Sequence, residues 1–137
     1  MPCVLDASVA LAWQFEDETD EAYTAAVLRR LRDDRAIVPA VWPLEVANGL
    51  AAAERHGRIS EAASAAASER LQSLPILIEQ SSLEHVLAAL LPIARTHSLS
   101  VYDASYLDLA MRQQWPLATL DARLRTAATR AGVSLLE

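Results

Sequence analysis

The feature that most constrains the fold is a regular alternation between short apolar runs and longer segments with helical periodicity. Apolar runs of strand length lie at 2–5, 36–39, 75–79, 116–120 and 133–136. The segments between them place apolar residues at three- and four-residue spacing, which is typical of amphipathic helices. Strands that alternate with helices are joined by right-handed β-α-β crossovers and form a parallel sheet. The sequence therefore predicts an α/β fold, and it contains no internal repeat or linker.

Two residues inside the predicted helices carry further information. Gly49 lies within the helix that Pro43 opens, where glycine costs about 1 kcal/mol relative to alanine, and this indicates close packing of the backbone there. Pro92 lies within the helix predicted from Ser82 onward. Because proline lacks an N–H donor and crowds the preceding turn, we expect this helix to kink or to split in two. The acidic run at 16–21 suits the positive end of a helix dipole.

Composition limits the class of protein. A chain of 137 residues with 53 % hydrophobic residues is expected to form one domain over residues 1–137. Cys3 is the only cysteine, and Asp6 interrupts the apolar N-terminal run, so we expect a cytoplasmic chain without an internal disulfide or a signal peptide. No apolar run is long enough to span a bilayer, and no glycine-rich loop is present to hold a nucleotide phosphate.

The net charge of −6 argues against a protein that binds nucleic acid through its own positive charge. It does not exclude an enzyme that acts on nucleic acid through bound cations.

Four acids lie where a predicted strand ends or a predicted helix begins: Asp6, Glu45, Asp103 and Asp121. Taken singly, each is explained as a helix cap or as a favourable charge in a first turn. Taken together they are more informative, because open parallel sheets bind ligands beyond the carboxyl ends of their strands. Two ionised carboxylates about 4 Å apart repel by about 4 kcal/mol at an effective dielectric of about 20, so a shared pocket requires protons or a cation. An all-oxygen donor set suits Mg²⁺ or Mn²⁺ rather than zinc.

The segments that carry these acids resemble, in order, the motifs of PIN domains. They read VLDAS at 4–8, PLEVAN at 43–48, YDASYL at 102–107 and ATLD at 118–121. More narrowly, the chain resembles the VapC ribonuclease toxins of toxin–antitoxin pairs, and the resemblance runs nearly end to end. Pro92 departs from the family's pattern.

The resemblance implies a three-layer α/β/α domain whose five-stranded parallel sheet has the strand order 3-2-1-4-5. It also implies that Asp6, Glu45, Asp103 and Asp121 bind metal and catalyse the hydrolysis of an RNA phosphodiester with Mg²⁺ or Mn²⁺. Further positions match residues that support the acids: Ser8, Asn48 and Thr119. Asp108 is left out, since it lies about 140° around the helix from Asp103. The histidines His56, His85 and His97 lie outside the four motifs and are expected at the surface or in packing.

The partners implied by the resemblance are an RNA substrate, a cognate antitoxin and a second copy in a homodimer. Three other readings compete with a toxin. A catalytically silent PIN-fold interaction module would keep the fold but need not keep all four acids. A PIN-type RNA-processing nuclease without an antitoxin would share the chemistry and differ in its genome neighbourhood. A receiver-type domain would need paired acids after the first strand and a lysine near the end, and this chain has neither.

Overall fold

The described part of the chain, residues 1–15 and 20–137 of this computed structural model, contains a four-stranded parallel sheet. The strands are β1 (Cys3–Leu5), β2 (Ala36–Pro39), β3 (Ile76–Glu79) and β4 (Leu117–Ala118). Their spatial order is β3-β2-β1-β4, and every neighbouring pair is parallel. After β3 the chain crosses back over the sheet, and β4 pairs with β1 on the side opposite to β2. The predicted order of these four strands is confirmed.

The predicted fifth strand is wrong for the described residues. Segment 133–136 forms only one parallel bridge, between Leu135 and Leu117, flanked by two backbone hydrogen bonds of 2.9 Å. Only Leu117 of β4 faces this segment, because the carbonyls of Pro116 and Ala118 point the other way and accept hydrogen bonds from β1. The next carbonyl on the same side, that of Thr119, is bonded to Arg125 instead. The sheet thus ends in a bridge where the sequence predicts a strand.

Eight α-helices of the described residues surround the sheet: α1 (Ala7–Ala12), α2 (Glu21–Arg30), α3 (Trp42–Arg55), α4 (Glu61–Gln72), α5 (Leu83–His85), α6 (Leu91–His97), α7 (Val101–Gln113) and α8 (Ala122–Arg130). Helix α1 contacts α2 and α3, and α3 contacts α4, whereas α7 contacts α6 and α8. Because crossovers are right-handed, these two groups lie on opposite faces of the sheet. The architecture is consistent with three layers. The acids at 16–18 of the predicted acidic run lie outside the described residues.

The close packing predicted at Gly49 is confirmed at the contact between α1 and α3. A Cβ atom added to Gly49 would lie 2.4 Å from Cδ1 of Leu11, so any side chain there would have to displace the leucine. This contact matters for the site, since α1 follows Asp6 directly and α3 carries Glu45 in its first turn.

The helix around Pro92 is interrupted, as predicted. A π-helical turn over Val86–Leu90 separates α5 from α6, and the N–H of Leu91 donates to the carbonyl of Val86 five residues earlier. Pro92 follows this turn as the second residue of α6, in a run that is helical from 83 to 97, so the wider π-helical turn accommodates the ring and the missing N–H of the proline.

Helix α7 packs against the sheet through buried side chains. It contacts β1 and β2, and its side chains Ala104, Tyr106 and Leu107 have no exposed surface. Within the described residues, no helix is both long and apolar enough to cross a membrane.

Candidate active site

Asp6 lies at the carboxyl end of β1 and is held by two hydroxyl groups. It occupies the N-cap position of α1, yet its side chain makes no capping hydrogen bond. Instead Oδ2 accepts a hydrogen bond of 2.6 Å from Ser8 Oγ and one of 2.7 Å from Thr119 Oγ1. Only 5 % of Asp6 is exposed. The explanation of this acid as a helix cap is therefore excluded, and its carboxylate is fixed towards β4.

The same two hydroxyls shape the turn that carries Asp121. Ser8 Oγ accepts from the N–H of Leu120 at 3.1 Å, and Thr119 Oγ1 accepts from the N–H of Asp121 at 3.0 Å. Each hydroxyl thus donates to the Asp6 carboxylate and accepts from the β4–α8 turn, so the two strand ends are tied into one unit. Ser8 and Thr119, which the resemblance implies support the acids, make these hydrogen bonds to Asp6 in the structure.

Asp121 does cap a helix. Its Oδ1 accepts a hydrogen bond of 2.9 Å from the N–H of Leu124, in the first turn of α8. The residue is exposed, so the site opens to solvent on this side.

Asp103 lies in the first turn of α7 and is not its cap. That position belongs to Ser100, whose Oγ accepts from the N–H of Asp103 at 3.0 Å. With the helix end already satisfied, the carboxylate of Asp103 is available for another role.

Glu45, in the first turn of α3, is held by Tyr106, a residue of the YDASYL motif for which the sequence indicates no role in the site. The hydroxyl of Tyr106 donates a hydrogen bond of 2.6 Å to Glu45 Oε1. Tyr106 is fully buried and follows Asp103 by one turn of α7, so a single helix positions two of the acids. The three-residue spacing between Asp103 and Tyr106 was the available indication.

The charges of the four acids act on the pKa values of neighbouring carboxyl groups in the set. The pKa of Asp103 is raised from 3.8 to about 6, chiefly by burial and then by the charges of Asp121 and Asp6, against the lowering effect of the Ser100 hydroxyl. Burial also raises the pKa of Glu45, with added repulsion from Asp6 and Asp103 and an opposing effect of the Tyr106 hydroxyl.

Asp6 follows the same pattern. Burial raises its pKa, the hydroxyls of Ser8 and Thr119 lower it, and the charge of Asp121 raises it again. Every acid of the set thus lies within electrostatic reach of at least one other. Like charges kept together in this way destabilise the ionised forms and favour a proton or a cation.

Within residues 1–15 and 20–137, no group of three or more His, Cys, Asp or Glu side chains is close enough to hold a metal ion as the side chains stand. Mutual repulsion opposes such convergence when no cation is bound. The chemistry of the donor set does fit a hard divalent cation, because it consists of carboxylates, with hydroxyls behind Asp6. The residues therefore suit Mg²⁺ or Mn²⁺ in kind.

The structure also places Asn48, which was expected to support Glu45, and Asp108, which was not expected in the site. The side chain of Asn48 is exposed and makes no hydrogen bond to Glu45, whose partner is Tyr106. The carboxylate of Asp108 contacts His85 and Arg112 and not the four acids. His85 belongs to this structural cluster, in line with its predicted packing role.

Comparison with known proteins gives a family and a fold. The sequence model of the family described as "PIN domain" matches residues 3–129. PAE2754 from Pyrobaculum aerophilum is 22 % identical, with a TM-score of 0.68 over 93 % of this chain and 87 % of that one.

Two further solved structures are similar. VapC20 from Mycobacterium tuberculosis, described as a sarcin-ricin loop cleaving toxin, is 13 % identical, with a TM-score of 0.68 over 91 % of this chain and 94 % of that one. FitAcB from Neisseria gonorrhoeae is 20 % identical, with a TM-score of 0.65 over 100 % of this chain and 97 % of that one. At these identities the likeness concerns the fold. Among curated protein sequences, none matches this chain.

Proposed function

This chain belongs to the PIN domain family, and from that premise we propose that it is a metal-dependent ribonuclease and the toxin of a toxin–antitoxin pair. The proposal rests on how the chain holds these acids. Asp6, Glu45 and Asp103 make no capping hydrogen bond, yet each is held close enough to another acid of the set for that charge to raise its pKa. A structural role does not explain why like charges are buried together.

The residues that would hold the metal are Asp6, Glu45, Asp103 and Asp121. Mg²⁺ or Mn²⁺, when bound, supplies the positive charge that lowers the pKa of water and neutralises a phosphate. Asp6 is pre-positioned by the hydroxyls of Ser8 and Thr119, and Glu45 by the hydroxyl of Tyr106.

Asp103 and Asp121 border the solvent side of the site, where an RNA phosphate can approach. Fixing the carboxylates before substrate arrives avoids reorganisation during the reaction. The hydroxyls that hold Asp6 thus contribute orientation, while the acids contribute charge.

The role as a toxin rests on two of the fold's neighbours. VapC20 is described as a toxin, and FitAcB shares its fold with this chain over nearly the full length of both proteins. Together with the family match over residues 3–129, they support a nuclease of the toxin–antitoxin kind. The proposal extends this to a single domain over residues 1–137 that cuts RNA in the cytoplasm, forms a homodimer and is covered by a cognate antitoxin.

The test is cleavage of a mixed RNA pool by the purified protein. We expect cutting with Mn²⁺ or Mg²⁺, no cutting with EDTA, and no cutting by Asp6→Asn. Asp33→Asn is the matched control, because Asp33 is exposed and the same charge is removed far from the site's hydrogen bonds. Isothermal titration with Mn²⁺ provides an independent readout of metal binding.

A folded protein that neither binds Mn²⁺ nor cuts RNA would contradict the proposal. Cutting that persists in Asp6→Asn at the level of Asp33→Asn would also contradict it, since the activity would then come from another site or a contaminant. Co-expression with the small upstream gene, if one is present, separates a toxin from an RNA-processing nuclease.

A further inference from the structure

A basic cleft lies beside the acidic site, in a protein whose net charge is −6. Its volume is about 480 Å³, and it separates the C-terminal end of α6 from one face of α8. The polar residues that line it are His97, Ser98, Arg123, Thr126 and Arg130. Among the described residues that line it, none is acidic. We refer to it as the α6–α8 cleft.

The α6–α8 cleft adjoins the two loops that position the solvent-facing acids. Ser98 lies two residues before Ser100, the cap of the helix that carries Asp103. Arg123 lies two residues after Asp121, the cap of α8. A strand of nucleic acid that crosses Asp103 and Asp121 therefore has this cleft directly beside it.

The arginines of the α6–α8 cleft form one stripe. Arg123, Thr126 and Arg130 recur at the three- and four-residue spacing that places side chains on one side of a helix. Seven residues of α-helix span about 10.5 Å, so the two guanidinium groups can reach more than one phosphate of an extended strand.

Contacts within the described residues do not account for these two arginines, although the last turn of α8 is a favourable place for the charge of Arg130. Neither makes an ion pair or a side-chain hydrogen bond to another residue of the ranges 1–15 and 20–137, and both are exposed. Arg123 is also in the first turn of α8, where the helix dipole disfavours a cation. Arg125 on the same helix provides the contrast, because its Nη1 donates to the carbonyl of Thr119 at 2.9 Å and holds the turn.

We propose that the α6–α8 cleft binds the phosphate backbone of single-stranded RNA through Arg123 and Arg130, beside the carboxylates at which the strand is cut. This rests on the proposed ribonuclease function and adds where the substrate lies. Arginine recognises phosphate oxygens through paired N–H donors, and His97 adds one further donor at the end of α6. Backbone contacts of this kind position a strand without reading its sequence.

The experiment measures binding of a fluorescein-labelled single-stranded RNA by anisotropy, in Mg²⁺. All proteins carry Asp6→Asn, so that the RNA stays intact. The cleft variant is Arg123→Gln/Arg130→Gln. The matched control is Arg29→Gln/Arg32→Gln, which removes the same two charges from exposed arginines at the end of α2 and just beyond it.

We expect the cleft variant to weaken RNA binding by roughly tenfold, since an exposed charged contact contributes a factor of about 3 to 5. The slope of log K against log salt should fall by about 0.7 for each phosphate that the variant no longer neutralises. The control should change neither by a comparable amount. Thermal unfolding should be unchanged in both, because none of the four arginines has a structural partner among the described residues.

Three results would overturn the proposal: equal losses in the cleft and control variants, no loss in the cleft variant, or no RNA binding at all. Binding of poly-glutamate that depends on Arg123 and Arg130 while RNA binding does not would assign the α6–α8 cleft to an acidic protein segment instead. A failure of the proposed ribonuclease function can be distinguished from a failure of the cleft proposal. A protein without Asp6→Asn that binds RNA but never cuts it contradicts the proposed function, whereas one that cuts normally with both cleft arginines replaced contradicts only the cleft.

Discussion

Two aspartates on α7, five residues apart, have opposite surroundings. Asp103 faces other acids, and its pKa is raised to about 6. Asp108 is more deeply buried, with 4 % exposed, yet it faces a cation: Arg112 Nε donates to its Oδ2 at 2.9 Å, and His85 Nε2 lies 2.9 Å from the same oxygen. Arg112 also binds Glu79 on β3, so this second cluster ties α7 to the edge of the sheet.

The difference shows how to tell a structural acid from a functional one. Burial alone does not separate them, because the more buried Asp108 is the structural one. The sign of the neighbouring charge does: Asp108 is compensated within the chain, whereas Asp103 is left for something that the chain does not contain. One continuous helix can therefore stabilise the fold at one turn and lower its stability at another.

The largest expected effect is on cleavage by Asp103→Asn. The substitution removes one of the charges that would hold the metal, so we expect RNA cleavage to fall about 10³-fold, because metal stabilisation of the developing charge is worth several kcal/mol. Initial rates on a cleavable RNA with Mn²⁺ measure it. If Asp108→Asn lost as much activity at full folding, the distinction between the two aspartates would fail.

The next effect is on stability, and it concerns the other aspartate. Asp108→Asn removes the charge between Arg112 and His85, and we expect the free energy of unfolding to fall by about 2–3 kcal/mol, near the lower end of the range for breaking a buried pair, since Arg112 keeps Glu79. Urea unfolding measures it. Glu79→Gln, at the more exposed end of the cluster, should cost less than about 1 kcal/mol. An equal cost for both would mean that the burial of Asp108 is not what matters.

Much of this arrangement could be predicted from the sequence, because it depends on periodicity and on strand ends. Asp6 and Asp121 follow the ends of apolar runs, and parallel strands bring such ends to one edge. Glu45 and Asp103 instead lie at the starts of predicted helices. The angle of about 140° between Asp103 and Asp108 placed the second aspartate outside the site, since a helix has a fixed turn. The order of the first four strands followed from the resemblance.

Other features depend on side-chain contacts that no local pattern determines. Ser100, not Asp103, caps α7, and both residues are acceptable at such a position by residue type. Glu45 is bound by Tyr106 from another helix rather than by Asn48 one turn away, because the packing of α7 against the sheet decides which polar group reaches it. The fifth strand is reduced to a bridge, since only Leu117 of β4 faces it.

A smaller effect is expected at Thr119, whose hydroxyl holds the acid Asp6 of the site. Thr119→Val keeps the shape of the buried side chain but removes the hydrogen bonds to Asp6 and to the N–H of Asp121. We expect RNA cleavage to fall by about 10- to 100-fold, as for other groups that orient metal ligands. Thr119→Ser keeps the hydroxyl and should retain most of the activity. Equal activity of the valine and serine variants would show that the hydroxyl does not orient Asp6.

The smallest effect is the pH dependence of stability without metal. The unfolded chain releases the Asp103 proton near pH 3.8, whereas the folded chain releases it near pH 6. Between these values the folded state binds more protons, so this group makes the protein less stable as the pH rises. This loss of stability is complete above about pH 6, and Asp103→Asn removes it.

The measurement is the melting temperature in EDTA from about pH 4 to pH 7, for the unsubstituted protein and for Asp103→Asn. The difference between the two should grow in favour of the variant through this window and reach a few degrees. Asp33→Asn, which removes an exposed acid, should give no such growth. Added Mn²⁺ should stabilise the unsubstituted protein above pH 6 and reverse the order, because the cation then takes the place of the proton. A variant that is less stable than the parent at pH 7 in EDTA would mean that Asp103, like Asp108, has a partner in the fold.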